Sequence, residues 1–399
     1  MRVILTAMGG GWEDSLTMEC RKALAQADLI IGAKRLLDAL PEELSAKKKA
    51  AVKAEEILAA LEEGEAVCCI LFSGDTGFYS GTRLLLPQLA ERGIPAEVLP
   101  GVSSVQILAA RLGRPWQEWK LVSAHGLSCD PVTAVMEGKP VFFLTDGKNS
   151  PADLCRKLTE AGLGELEVMT GENLAGPEER IGKCSAAEAA EKVFSPLSVM
   201  LAEAAPQGEY TGPGIPDDVF LRGKVPMTKR EVRAAILAKL AVRPEDVVWD
   251  VGAGTGSVSV ELALAAKKGR VYAVEMAEEA CELVRANREK FCAWNLALCR
   301  GKAPEALREL PVPQAVFVGG TKGEMGEILS LALEKNPDVR ICVSAITLEN
   351  LWAAVEGLRK QGLEPVVTQI SVSKTKAIGE LHLLMANNPV FLITGGCHD

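Results

Sequence analysis

Val247-Val248-Trp249-Asp250-Val251-Gly252-Ala253-Gly254-Thr255-Gly256-Ser257 is the stretch on which the fold turns. A run of buried-strand type enters a glycine-rich loop, and residues 258–266 beyond it have helical character. A second strand-type run, Arg270-Val271-Tyr272-Ala273-Val274, then ends on Glu275. Strand, glycine turn, helix, strand and acid form the nucleotide site at the mouth of a doubly wound sheet. Glycines make the turn tight and let the backbone approach a ligand. An acid about 20 positions on, at the next strand tip, accepts hydrogen bonds from ribose hydroxyls. A dinucleotide loop reads G-x-G-x-x-G; here the third glycine comes one position early, and Asp250 stands two residues before the first.

Outward from this loop the pattern repeats. Strands are expected at 246–251, 270–275, 297–299, 315–318, 339–343, 364–371 and 390–394. A helix is expected over 228–240, with Thr228 as N-cap and Glu231 at capping-box spacing. The first half alternates in the same way. Its strands are expected at 2–8, 28–31, 66–72, 96–99, 120–123, 140–144, 167–170 and 197–201, and helices at 16–27, 55–62 and 83–92. Such alternation gives open α/β sheets covered by helices. Between the halves, Ala205-Pro206-Gln207-Gly208-Glu209-Tyr210-Thr211-Gly212 is dense in breakers. The expected division is a domain at 1–204, a linker at 205–212 and a domain at 213–399. The halves show no internal repeat.

Composition narrows the function. The 399 residues exceed one ordinary core. With 48% hydrophobic and 24% charged residues the chain reads as soluble and globular, with no membrane-length apolar run. Its start reads as a strand and not as a signal peptide, so a cytoplasmic protein is expected. A net charge of −9 disfavours nucleic acid as a partner. The 11 cysteines are scattered without a C-x-x-C pair, and the 3 histidines (His125, His382, His398) form no ligand set. Free thiols and no metal are expected.

The loop Gly252–Gly256 with Asp250 resembles motif I of Rossmann-like S-adenosylmethionine methyltransferases. Three further stretches narrow the likeness: Gly214-Ile215-Pro216-Asp217-Asp218-Val219-Phe220, Pro226-Met227-Thr228-Lys229-Arg230-Glu231-Val232-Arg233, and Phe317-Val318-Gly319-Gly320. With Ala345-Ile346-Thr347-Leu348-Glu349 and Asn388-Pro389-Val390-Phe391, residues 214–394 resemble the decarboxylating cobalt-precorrin-6B (carbon-15) methyltransferases. The resemblance implies a class I methyltransferase domain. It places Thr228, Asp250, Gly252, Ala253, Gly254, Thr255, Gly256, Glu275 and Ala303 at the cofactor, and Gly319 and Gly320 toward the substrate. The family pattern has an acid between Gly301 and Ala303, where it reaches the adenine amino group; this chain has Lys302.

The first half carries an independent set. Gly9-Gly10-Gly11 follows the first strand, Ser73-Gly74-Asp75-Thr76-Gly77-Phe78-Tyr79 ends another, and Leu99-Pro100-Gly101-Val102-Ser103-Ser104 ends a third. With Ala110-Arg111-Leu112-Gly113-Arg114-Pro115-Trp116, Val122-Ser123-Ala124-His125-Gly126 and Gly171-Glu172-Asn173-Leu174, residues 1–203 resemble the tetrapyrrole methylase family, in particular its cobalt-precorrin-7 (carbon-5) methyltransferases. The resemblance implies two α/β subdomains with the cofactor folded between them, held by Gly74, Asp75, Phe78, Ser103, Ser104, Leu144 and Asn173. Gly9 and Gly10 would face the tetrapyrrole. Departures are Thr76 in place of the family's proline, and Leu127 after His125-Gly126 in place of its arginine.

Together the resemblances imply a bifunctional enzyme of cobalamin biosynthesis with two S-adenosylmethionine sites and a corrinoid substrate, acting at carbons 5 and 15 and removing a ring carboxyl. Methyl transfer from a sulfonium asks for positioning and desolvation, not for a nucleophile. No Ser-His-Asp or Cys-His arrangement is visible. A polycarboxylate bound to an acidic protein needs a local basic rim. Lys34, Arg35, Lys229 and Arg230 are the candidates, with Arg222, Lys224 and Arg233 beside them. A homo-oligomer is expected. The alternatives are another tetrapyrrole as substrate, a nicotinamide-dependent oxidoreductase, or an RNA methyltransferase; the early third glycine argues against the second and the negative charge against the third.

Overall fold

The structure, a computed structural model, describes residues 1–62, 64–126, 129–321 and 323–396. Leu127 therefore lies outside the described residues. The chain divides into two compact units: one holds 1–135, 139–160 and 164–204, the other 136–138, 161–163 and the stretch from Ala205 on.

The first unit contains two sheets. Strands β1 (Arg2–Ala7), β2 (Leu29–Gly32), β3 (Lys47–Ala50), β4 (Val67–Phe72) and β5 (Ala96–Val98) form a parallel sheet ordered β3-β2-β4-β1-β5. Its central strands β1, β2 and β4 are buried apolar runs, as helices on both faces require. Strands β6 (Lys120–Ser123), β7 (Val141–Leu144), β8 (Glu167–Glu172), β9 (Arg180–Ser185) and β10 (Ser198–Ala202) form the second sheet, ordered β6-β7-β10-β8-β9. Only β6 and β7 pair in parallel there.

The second unit is built on a seven-stranded sheet with a separate two-stranded hairpin. Strands β11 (Val247–Val251), β12 (Arg270–Glu275), β13 (Leu296–Arg300), β14 (Ala315–Val318), β15 (Arg340–Ala345) and β16 (Val366–Ile370) are followed by a hairpin, β17 (Ser373–Ile378) and β18 (Leu381–Ala386), and by β19 (Val390–Gly395). The order is β13-β12-β11-β14-β15-β19-β16, with β19 antiparallel to both neighbours. Two apolar layers flank it, one around Ile236, Leu262 and Phe291, the other around Trp249, Leu329 and Leu358.

The predicted central strands recur within a residue or two. Strands β3, β9, β17 and β18 have no counterpart in the sequence reading. Lys47-Lys48-Lys49 reads as a solvated run, yet charge is what an edge strand carries to avoid pairing with another chain. Thr228 is not an N-cap either. The helix runs Arg230–Leu240 with Lys229 at the cap, and the Arg230 N–H donates to Asp217 Oδ1 at 2.9 Å. The carboxylate comes from the preceding loop, which a local pattern does not reveal.

Candidate active site

The carboxyl ends of β11, β12 and β14 open into a cleft of about 720 Å³. Strand order reverses at β11 and β14, the switch point where open α/β sheets bind ligands. Gly252, Ala253, Gly254 and Thr255 form its floor, with Glu275 and Ala303 on one side. Gly319 and Gly320 stand on the other side, and Thr228 and Lys229 belong to a further wall. Gly252 has φ +77°, and a Cβ on it would stand 2.7 Å from Gly320 O and 2.9 Å from Gly320 N. The two loops therefore touch backbone to backbone, which only glycine permits here.

Glu275 shapes this loop directly. One of its oxygens accepts the Gly254 N–H at 2.9 Å, and the other accepts those of Met276 (2.8 Å) and Ala277 (3.0 Å). A carboxylate offers about four acceptor sites, so capacity for a ribose hydroxyl remains.

Two expected cofactor residues stand behind the loop and not in the lining. Gly256, with φ +76°, packs on the helix Glu278–Lys290, where its Cβ would meet Val284 Cα at 3.1 Å. Asp250 is fully buried and accepts a hydrogen bond from Ser259 Oγ; its Oδ1 has no protein partner. Burial, with the Glu275 charge adding to it, pushes the Asp250 carboxyl up to about 7, against the pull of Ser259. Asp250 therefore binds its proton more tightly folded than unfolded. Its stabilising contribution is full below about pH 4 and is lost as pH rises through about 7, up to about 4 kcal/mol in all. The thermal midpoint of this unit should fall between about pH 4 and 7, and Asp250→Asn should flatten that slope. Identical slopes in scanning calorimetry would remove Asp250 as the cause.

The basic rim differs from the expectation. Lys229 lines the cleft and is exposed, and Arg230 is exposed beside it. Arg233 is not part of any rim: its side chain is 0% exposed, and Nε donates to Glu261 Oε1 at 2.9 Å. Its Nη1 bonds Asp217 Oδ1 (2.8 Å) and Thr228 O (2.6 Å), and Nη2 bonds Ile215 O. Glu261, equally buried, also accepts the N–H groups of Gly214 and Ile215, each at 3.1 Å. This pair sews residues 214–229 onto two helices. Lys302, where the family pattern has an acid, lines the cleft and pairs with Glu324 at 2.7 Å. The lining also includes Met227, Ile346, Asn350, Asn387 and Asn388, which the sequence reading did not single out. They come from the loop before the first helix and the segments around β15 and β19; Met227, Ile346 and Asn388 lie in stretches that carry the resemblance, whereas Asn350 and Asn387 lie in none of them.

In the first unit the expected residues converge from separate strands. Gly9 and Gly74 exchange backbone hydrogen bonds (3.1 and 2.7 Å). Asp75 accepts from Gly77 N (2.8 Å) and from Gly101 N (2.9 Å), tying the loop after β4 to the loop after β5. Phe78 reaches Phe142 on β7 at 6.3 Å between ring centroids, and Leu144 ends that strand. Ser103 caps the helix Ser104–Leu112, its N–H donating to Gln106 Oε1 at 2.8 Å. A Cβ on Gly10 would stand 2.6 Å from Leu174 O and 2.8 Å from Ala175 Cβ, so the glycine loop lies against residues 173–175. Asn173 and Ala175 there hold φ values of +48° and +62°. Both basic candidates, Lys34 and Arg35, are exposed; Arg35 places Nη1 beside Gly11, 3.1 Å from the position of a Cβ. Surrounding atoms lower the Arg35 pKa by desolvation. The neighbouring cavity at Trp12 is lined by Glu13, Asp14, Asp38, Glu42 and Glu43, and so repels a polycarboxylate.

Two family profiles match the chain: one described as tetrapyrrole (corrin/porphyrin) methylases over residues 2–190, the other as a precorrin methyltransferase domain over 218–394. A precorrin-6Y C(5,15)-methyltransferase [decarboxylating] of Sinorhizobium sp is 31% identical over 356 residues, 86% of this chain and 85% of that one. The chain belongs to this family. A probable cobalt-precorrin-6B C(15)-methyltransferase (decarboxylating) of Pyrobaculum calidifontis is 49% identical over 188 residues, 46% of this chain and 96% of that one. The crystal structure of a precorrin-6Y C5,15-methyltransferase from Geobacter metallireducens GS-15 matches at 39% identity with a TM-score of 0.44, covering 46% of this chain and 95% of that one.

Membership in the C(5,15)-methyltransferase family implies use of S-adenosylmethionine, and the C-terminal cleft fits it. The glycines at 252 and 254 put no side chain between the backbone and a ligand in the cleft, and the strand-tip Glu275 offers acceptors. Neither alternative, the other tetrapyrrole or the nicotinamide enzyme, is favoured by these relatives. Among the described residues no cluster of His, Cys, Asp and Glu is placed to hold a metal, and the cysteines are free thiols. Among the same residues no helix is long and apolar enough to cross a membrane.

Proposed function

We propose that the chain uses two S-adenosylmethionine sites, one per unit, to methylate carbons 5 and 15 of a precorrin-6B/7-type corrinoid and to remove a ring acetate carboxyl as carbon dioxide. The C-terminal cleft carries carbon-15 methylation and decarboxylation; the N-terminal crevice carries carbon-5 methylation. The observation behind this reading is two independently built glycine loops, one lining the C-terminal cleft at Gly252–Gly320 and one where Gly9, Gly74 and Gly101 meet.

The bound cofactor supplies an activated methyl group. The chain's residues do the rest. In the C-terminal unit, Gly252–Thr255 and Glu275 orient the adenosine, and the apolar Met227 and Ile346 exclude water from the reacting carbon. Lys229 at the rim pairs with substrate carboxylates. In the N-terminal unit, Gly74, Asp75, Phe78, Ser103, Ser104, Leu144 and Asn173 hold the cofactor, and Arg35 beside Gly11 takes a carboxylate of the ring. Titration calorimetry should give two S-adenosylmethionine equivalents per chain. Incubation with the precorrin substrate, metal-free or cobalt-bound, should give a mass gain of two methyl groups and a loss of one carbon dioxide. A product with one methyl, or with its carboxyls intact, would overturn the assignment.

The cytoplasm is the proposed compartment, and a second copy of this chain the proposed partner. The hairpin of β17 and β18 forms its own two-stranded sheet, exposed along its whole length. Leu381 is 72% and Leu384 71% exposed, with Ile378, Leu383 and Met385 exposed beside them. An isolated hairpin is marginal in water, and a bare apolar edge invites pairing. Hairpins of two copies cover each other. Light scattering should show an oligomer, and Leu381→Lys with Leu384→Lys should reduce it to the monomer.

A further inference from the structure

Residues 214–229 run along the helix Glu278–Lys290 before they become a wall of the C-terminal cleft. The Val219 carbonyl accepts Lys290 Nζ at 2.6 Å, and the Lys224 N–H reaches Glu279 Oε1 at 3.3 Å. Between these contacts lies Asn287, 0% exposed and buried along the helix with Ala280, Cys281, Val284 and Arg288. A buried carboxamide is costly unless its hydrogen bonds are made. Asn287 makes them on both sides. Its Oδ1 accepts the Leu221 N–H at 2.9 Å, and its Nδ2 donates to Leu221 O at 2.8 Å and to Thr255 O at 2.8 Å. Leu221 stands four residues before the wall that begins at Val225, and Thr255 belongs to the glycine loop on the cleft floor.

We propose that Asn287 is a positioning residue for the carbon-15 reaction: one side chain outside the cleft fixes the wall 225–229 and the loop 252–255 relative to each other. The wall brings Lys229, which faces the substrate, and the loop holds the cofactor, so the lock sets the separation between methyl donor and acceptor. A displacement of an ångström there is enough to slow transfer strongly. The inference rests on the reading of this cleft as an S-adenosylmethionine site.

The test is steady-state carbon dioxide release by the full chain, with S-adenosylmethionine and the precorrin substrate varied in turn. Asn287→Ala, which leaves room for water at the freed backbone groups, should raise KM for S-adenosylmethionine about tenfold and lower kcat about tenfold. The control is Leu329→Ala, which opens the apolar layer on the other face of the sheet. At a temperature where both variants are fully folded by circular dichroism, Leu329→Ala should keep both constants within about twofold of the parent. Equal changes in the two variants, or none in Asn287→Ala, would reduce Asn287 to a structural residue and overturn the proposal. Failure of the parent chain to release carbon dioxide would instead overturn the reading of the cleft, and this inference with it.

Discussion

Gly252→Ala should lower carbon-15 methylation and carbon dioxide release at least about a hundredfold and leave carbon-5 methylation untouched when the carbon-15 product is supplied. The added methyl meets two separate obstacles. At φ +77° an L-residue pays about 1–2 kcal/mol for the left-handed backbone. The Cβ also stands 2.7 and 2.9 Å from backbone atoms of Gly320, which cannot swing aside as a side chain tip would. The Gly252 and Gly320 loops must part, and both line the cleft. A loss of about 2.7 kcal/mol in transition-state binding is a hundredfold in rate. The N-terminal unit supplies the opposite variant. Asp75→Ala removes the carboxylate that bridges Gly77 N and Gly101 N, and so loosens only the carbon-5 crevice. Gly252→Ala alone should leave the substrate largely unmethylated, and Asp75→Ala alone should stop at the carbon-15 product. Equimolar Gly252→Ala and Asp75→Ala chains, mixed, should complete both methylations, because the intermediate passes between chains. Carbon dioxide release at the parent rate by Gly252→Ala, or by a chain whose C-terminal cleft is otherwise disabled, would move the decarboxylation out of that cleft.

The glycine loop could be read in advance because backbone conformation is written in residue type: few residues besides glycine sit at the φ values of 252, 254 and 256. Central strands such as Val67–Phe72 and Ala315–Val318 were legible for a related reason, since burial on both faces demands an unbroken apolar run. Edge strands obey the opposite rule. Lys47–Ala50 and Arg180–Ser185 carry the charge and polarity of loops, and only their pairing partners reveal them. Charge was the least informative signal of all. Arg230 and Arg233 stand three residues apart in one basic run, yet the first is exposed and the second is wholly buried. Asp250 shows the same ambiguity: an acid ahead of a glycine loop suggests a ligand contact, whereas its carboxyl points into the protein toward Ser259. Asn287 carries no motif, and its place between Leu221 and Thr255 exists only once the helix Glu278–Lys290 is docked.

The buried pair of Arg233 and Glu261 should give the largest loss of stability of any single side chain in the C-terminal unit. Both side chains are 0% exposed. Neither charge is strongly stabilising by itself, because each left water to be there. Their removal is therefore asymmetric. Arg233→Met keeps the length of the side chain and its contact with Phe220, over which the guanidinium now lies at 4.7 Å. It also leaves the Glu261 carboxylate with the N–H groups of Gly214 and Ile215 and no cation. Breaking one side of a buried pair costs about 3–5 kcal/mol. In a unit of this size each kcal/mol lowers the midpoint by about 2–4 °C, so the fall should be about 10 °C or more by calorimetry. Glu261→Gln should cost less, since its amide oxygen in the Oε1 place still accepts the Ile215 N–H and Arg233 Nε, and only the Gly214 N–H loses its acceptor. The double variant Arg233→Met/Glu261→Gln should be more stable than Arg233→Met alone, because the stranded charge is gone; this sign is what separates an ion pair from mere packing. If Arg233→Met and the double variant melt together, Glu261 is not held as a carboxylate by Arg233. The network would then be a hydrogen-bonded scaffold in which the guanidinium serves Ile215, Asp217 and Thr228 and not a charge.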